Sequence, residues 1–163
     1  MEKFPCHLFQ AKWQQGQYYS LCKNPPEKSV VIVMDFAENY SYAMQHEVQS
    51  SHWYIAQVTL HPMVAHYQCE CDQTSPVREA IHIITDDMKH DSHAVYKFVS
   101  TAVDHLTKVR GLSPQRLIQF SDGCTGQYKS KIPFMDVFLR EQRFGHTPSG
   151  TSLLWVLTRE KPM

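Results

Sequence analysis

Ser29-Val-Val-Ile-Val-Met-Asp35 is the stretch on which the reading of the whole chain turns. Val30, Val31, Ile32 and Val33 are β-branched, and two heavy substituents on Cβ favour extended backbone. No polar residue alternates with them, so the segment reads as a strand buried on both faces, in the interior of a sheet. It ends in a carboxylate. Before it, Asn24-Pro25-Pro26-Glu27-Lys28 reads as a turn, because consecutive prolines cannot continue a helix. Residues 1–24, rich in aromatics and glutamine (Trp13, Gln14, Gln15, Gln17, Tyr18, Tyr19), read as helical, which makes residues 1–28 a lead-in to the core.

Downstream, a polar stretch from Glu38 to Ser51 precedes Trp53–Tyr67. This segment reads as a strand interrupted at Pro62, either two strands or a bulged edge. Glu79–Thr85 reads as a third strand that runs into Asp86 and Asp87. From Ser92 to Arg110, Val95, Phe98, Ala102, Leu106 and Val109 recur at helical spacing and form one apolar stripe. Asp91 or Ser92 can cap that helix, Lys108 and Arg110 suit its negative end, and Gly111 can close it. Arg116–Phe120 is a fourth strand, leading into Ser121-Asp122-Gly123-Cys124-Thr125-Gly126-Gln127, and a shorter helix is expected over Lys131–Phe144. Three strands, a helix, a strand and a helix describe a mixed-sheet α/β domain.

The 163 residues suit one domain with a real core, and 42% hydrophobic with 20% charged residues argues against wholesale disorder. Val30–Met34 falls far short of the roughly 20 apolar residues that span a membrane. The first residues hold no apolar signal-peptide core, so an intracellular soluble chain is expected. There the five cysteines, Cys6, Cys22, Cys69, Cys71 and Cys124, are expected to be thiols. The net charge of zero conceals a division. Residues 1–107 carry 7 Lys/Arg against 12 Asp/Glu, and residues 108–163 carry 9 against 4. An acidic half could gather metal and a basic half could meet phosphate, with chance fluctuation as the plain alternative.

Two aspartates stand out, Asp35 after the first strand and Asp122 after the fourth. Carboxylates at the ends of neighbouring strands can converge on divalent cations, which take hard oxygen ligands. That arrangement serves two-metal phosphoryl transfer. Glu38 lies three residues past Asp35 and could join it. Gly123 and Gly126 let backbone approach a ligand, and Lys129 and Lys131 suit a loop that faces phosphate, although no Walker sequence follows. The plainer alternatives are a solvent-facing strand end at Asp35 and an Asp-Gly turn at Asp122.

Other clusters read more simply. Asp86, Asp87, His90, Asp91 and His93 fit a capped helix start better than a metal site. His61, His66, Cys69 and Cys71 offer zinc-compatible atoms, but the Cys-x-Cys spacing is tight and no second cysteine pair completes a tetrahedral set. A sheet-edge turn with free thiols is the plainer reading. Ser121 and Cys124 lack the Gly-x-Ser-x-Gly elbow of a hydrolase.

Met-Asp-Phe-Ala-Glu-Asn-Tyr-Ser (34–41), Glu-Val-Gln-Ser-Ser-His-Trp (47–53) and Gln-Val-Thr-Leu-His-Pro (57–62) resemble blocks of a family of transposon-derived animal proteins. So do Ile-Thr-Asp-Asp-Met-Lys-His-Asp (84–91) and Phe-Ser-Asp-Gly-Cys-Thr-Gly-Gln-Tyr-Lys (120–129), all in order between about residues 29 and 131. That family looks like a DDE-type transposase core. The resemblance implies a ribonuclease-H-like mixed sheet with flanking helices over residues 29–144. It implies Asp35 and Asp122 as the first two acids of a triad that holds Mg2+ or Mn2+, and Lys129 and Lys131 as phosphate contacts. It also implies DNA as the ancestral substrate and the nucleus as the place of action. The implied chemistry is metal-assisted attack of water or a DNA 3′-hydroxyl on a phosphodiester.

The family's next block, similar to Phe-Phe-Gly-Ser-Arg-His-Gly-Lys-Gly-Pro-Cys-Asp-Gly, carries the candidate third acid, and Gly145–Met163 does not contain it. The expectation is a truncated core whose C-terminal part is missing and which is inactive. A domesticated, non-catalytic module that binds DNA or protein is the alternative, and a zinc-stabilised interaction domain a third. Codons allow one account of the missing block. Reading Leu154–Met163 one base later permits Phe-Gly-Ser-Ser-His-Gly-Lys-Ser-Pro, and a TGA stop would lead on to Cys and then Asp or Glu. Residues 145–163 are thus expected to be an out-of-frame tail, poorly ordered and touching the core little. Permissive codons that let any tail mimic a motif are the plain alternative.

Overall fold

Strand β1, Ser29–Met34, lies inside the sheet, as its unbroken apolar run predicts. The computed structural model describes residues 3–37, 39–41, 57–69, 75–121, 127–128, 131, 135 and 157–158. Its elements are α1 (Lys3–Lys23), β1, β2 (Tyr40–Ser41), β3 (Gln57–Gln68), β4 (Pro76–Thr85), α2 (Ser92–Lys108), β5 (Arg116–Ser121) and β6 (Leu157–Thr158). β1 pairs antiparallel with β3 and parallel with β5, so the fourth long strand lies beside the first. β4 pairs with the far side of β3, β6 with the far side of β5, and β2 follows β1 along β3. The result is a mixed α/β fold.

Alternation along β1 sends successive side chains to opposite faces. Val30, Ile32 and Met34 face α2, where they pack with Met63, Ala65, Val95, Phe98, Ala102 and Leu106. Val31 and Val33 face the other way, against Ile118, Phe120 and the α1 residues Tyr18, Leu21 and Cys22. Both faces of β1 are therefore dry. Burying a side chain such as Ile32, which has no exposed surface, contributes on the order of 2 kcal/mol.

α2 begins where its sequence signals it. Asp91 Oδ1 accepts a 2.9 Å hydrogen bond from the Ala94 N–H, which caps the helix and holds the Asp91 carboxyl below its usual range. Its end differs from expectation. Val109 caps the helix and is 66% exposed, so the apolar stripe stops at Leu106. Gly111, at φ +71°, turns the chain, and buried Leu112 closes this end instead, its N–H reaching the Leu106 carbonyl at 3.1 Å.

Pro62 interrupts nothing. β3 runs without a break through it, and the residue pairs with His82 on β4. Its ring removes only an N–H that would have pointed at the end of β1, where the ladder is already loosening. Trp53 to Ala56 lie outside the described residues. Of the helix expected over Lys131–Phe144, Lys131 and Met135 are helical and the rest lies outside the described residues.

Cys69 is disulfide-bonded, which corrects the expectation of thiols throughout. Cys22 is a free thiol whose pKa is pushed up by burial. In residues 145–163, expected to touch the core little, Leu157 and Thr158 pair in parallel with Phe120 and Ser121. These two residues take up backbone groups at the outer edge of β5 near its end. The remainder of residues 145–163 lies outside the described residues. Among the described residues no helix is long and apolar enough to cross a membrane.

Candidate functional site

The parallel register of β1 and β5 sets Val33 level with Phe120. One further step reaches Met34 and Ser121, the last residues of the two strands. Asp35 follows Met34 and is exposed. By alternation it belongs to the face of Val31 and Val33. Its N–H donates to the Pro62 carbonyl at 3.4 Å, and proline has no N–H to return the bond. Ala37 N–H then reaches Leu60 O at 3.0 Å, but Tyr40 pairs with Val58. Three steps on one strand are thus matched by two on the other between Ala37 and Tyr40, which marks a bulge just beyond Asp35.

The residue after Asp35 anchors this strand end on the α2 face. The Phe36 ring meets His61 edge-on at 4.5 Å, stacks on His90 at 4.6 Å, and lies 6.1 Å from Phe98 and 6.2 Å from Tyr128. His61 has no exposed surface, and burial lowers its pKa to about 4, so its ring is neutral at pH 7. Its Nε2 shares a 3.3 Å hydrogen bond with the Tyr128 hydroxyl. Thr59, also wholly buried, donates to the Asp87 carbonyl at 2.9 Å and lies 2.9 Å from His90 Nε2. Since its one proton is spent on Asp87, His90 Nε2 is the donor of the second bond.

Tyr128 is buried seven residues after Ser121, so the chain leaving β5 returns to the cluster that holds Phe36. Among the described residues two side-chain atoms are buried without a hydrogen-bond partner, His61 Nδ1 in this cluster and Ser121 Oγ at the end of β5.

Asp122, Lys129 and Glu38 lie outside the described residues, and Lys131 is helical and exposed. Among the described residues no three His, Cys, Asp or Glu side chains come close enough together to hold a metal ion. The zinc set fails on geometry. His61 and His66 are an odd number of positions apart on β3, so their side chains lie on opposite faces of the sheet, and Cys69 is committed to a disulfide. Cys71 lies outside the described residues. The acid/His cluster before α2 is structural: Asp91 caps the helix, Asp87 Oδ1 accepts from the Lys89 N–H at 3.1 Å, and His90 bonds Thr59.

Sequence reading misses the roles of two groups. His61 shares the parity of Met63, Ala65 and Tyr67, an apolar-face pattern that marks it as a buried histidine. Glu79 offers no such signal. It accepts from Tyr67 Oη at 2.9 Å, from Arg110 Nε at 3.1 Å and Nη2 at 2.8 Å, and lies 3.0 Å from His105 Nε2. Arg110, with help from His105 and Tyr67, holds its pKa down at about 2.

Residues 15–149 match a protein family described as "Domain of unknown function (DUF8701)". No curated protein matches the chain.

Proposed function

The chain belongs to this family of unknown function, and from that premise we propose that it is a transposase-derived domain of ribonuclease-H-like architecture. Its ancestral activity is metal-dependent cleavage and strand transfer of DNA phosphodiesters in the nucleus, and this chain, whose residues 145–163 do not contain the block with the third acid, is inactive in it. The observation that supports this most is the register of β1 and β5. Such a site needs the first and fourth long strands to be adjacent, parallel and level at their ends, and Met34 and Ser121 meet that need. The acids that follow them in sequence, Asp35 and Asp122, are the proposed metal pair.

Asp35 fits a hard divalent cation such as Mg2+ or Mn2+, being an exposed carboxylate at a strand end. When bound, such an ion activates the attacking oxygen and stabilises the leaving one. The protein's own part is positioning. Phe36 and Tyr128 share the His61 cluster, so one residue from the chain beyond each strand packs against the same frame. Lys129 and Lys131 are proposed to meet the DNA backbone, where each lost cation would weaken binding and flatten its salt dependence.

The experiment is a DNA binding and nicking assay in Mg2+ and in Mn2+, with Asp35→Asn and Asp122→Asn as controls. Divalent-dependent nicking that both substitutions abolish is the result expected of a retained activity. DNA binding that survives both, without nicking, identifies the domesticated non-catalytic module. Neither binding nor nicking overturns the proposal.

A further inference from the structure

We propose that a second copy of this chain extends the sheet along the outer edge of β4, antiparallel to it, about a two-fold axis at His82. The hydrogen-bonding parity of the sheet defines that edge. Pro62 and Leu60 accept from Asp35 and Ala37, so the even-numbered residues of β3 bond toward β1 and the odd-numbered ones toward β4. The partners of those odd residues are Val77, Glu79, Ile81 and Ile83. In an antiparallel ladder the remaining residues, Arg78, Ala80, His82 and Ile84, then turn both N–H and C=O outward. Among the described residues nothing bonds to them.

Edges are usually blunted by prolines, bulges, lysines or brevity. β4 runs ten residues in unbroken register with β3. After Pro76 it contains no proline and no lysine, and it carries Ile81, Ile83 and Ile84. Ile84 is 63% exposed on the face away from α2. Among the described residues this edge is left open for pairing.

Its chemistry selects a second copy of itself. A two-fold antiparallel pair must set outward-facing residues opposite outward-facing residues, which leaves central registers centred on Ala80, Ile81, His82 or Ile83. Centred on Ala80, Arg78 meets His82. Centred on Ile81 it meets Ile84, and centred on Ile83 it meets Met88. Only the register centred on His82 sets Arg78 opposite Asp86 of the second copy, and does so twice by symmetry. The same register lays exposed Ile84 against Ala80. Both Arg78 and Asp86 are exposed, and Asp86 lies one residue past the end of β4. Pairing would extend that strand by this residue.

Sedimentation velocity of the full chain over a range of concentrations tests this. The expected result is a monomer–dimer equilibrium. Arg78→Glu and Asp86→Arg should each raise the dimer Kd roughly tenfold or more, and the two together should restore it. Facing residues of a bonded pair have Cα atoms about 5.5 Å apart, within disulfide reach. His82→Cys should therefore give an oxidised dimer beyond the background of the unsubstituted chain, and Ala80→Cys should not. His82→Pro removes an outward N–H only, so it should abolish the dimer and leave the circular dichroism spectrum unchanged. A chain that stays monomeric at every concentration, or a dimer indifferent to the charge swaps and the cysteine positions, overturns the proposal.

Discussion

The two ends of α2 rest on opposite kinds of polar group. At its C-terminal end Glu79 is ionised and fully engaged by Tyr67, His105 and Arg110, tying β4 to the helix. Near its N-terminal end His61 is neutral and buried, one nitrogen on Tyr128 and the other without a side-chain partner among the described residues. A satisfied network locks structure, and an under-satisfied buried one signals a site where stability was not the only requirement. The locked end holds the starts of β1 and β5, and the other holds their ends, where Asp35 leaves the sheet.

The largest expected effect lies at the second end. Phe36→Ala removes the ring that joins His61, His90, Phe98 and Tyr128, and should cost about 3 kcal/mol in a urea titration. A loss under about 1 kcal/mol would show that the cluster is not a packing centre. Next comes pH. Since the folded His61 pKa is about 4 against an ordinary 6.5, the folded state binds fewer protons in that window. Its contribution is complete above pH 6.5 and is lost progressively down to about 4, an effect of up to about 3 kcal/mol. His61→Gln should remove that slope, and an unchanged acid profile would contradict the burial of a neutral ring.

Glu79→Gln acts at the locked end and should cost about 1–3 kcal/mol at neutral pH. The folded carboxyl titrates near 2 rather than 4.5, so the advantage of the unsubstituted chain should hold above pH 4.5 and fade as the pH falls toward 2. The two ends should thus fail in separate acid windows, and a single shared transition would erase the contrast. The smallest effect concerns Lys28, which sits at φ 50° while its carbonyl accepts from Gln115 N–H at 2.9 Å and Arg116 N–H at 3.2 Å. Lys28→Gly relieves the left-handed backbone at an entropic cost, and a thermal melt should show a gain of no more than about 1 kcal/mol.

Much of the sheet is legible in the sequence because an unalternating β-branched run such as β1 has to be interior. α2 is legible through its stripe and its Asp91 cap. Val109 falls off the stripe because the helix ends at Lys108, short of the turn at Gly111, and periodicity alone does not mark that last step. Pro62 misleads because sequence does not reveal which side of a strand needs its N–H. The Glu79 network joins β4 to residues 26 and 31 positions away, a distance over which no local pattern speaks.

The central claim, that the level ends of β1 and β5 form a divalent-cation site, is tested most directly by paramagnetic relaxation with Mn2+. Titrated into isotope-labelled chain, Mn2+ should broaden the amides of Met34, Asp35, Phe36 and Ser121 first and spare Val30 and Leu117 at the opposite ends of the strands. Asp35→Asn and Asp122→Asn should each abolish the broadening. Broadening centred elsewhere, or indifferent to both substitutions, would contradict the claim.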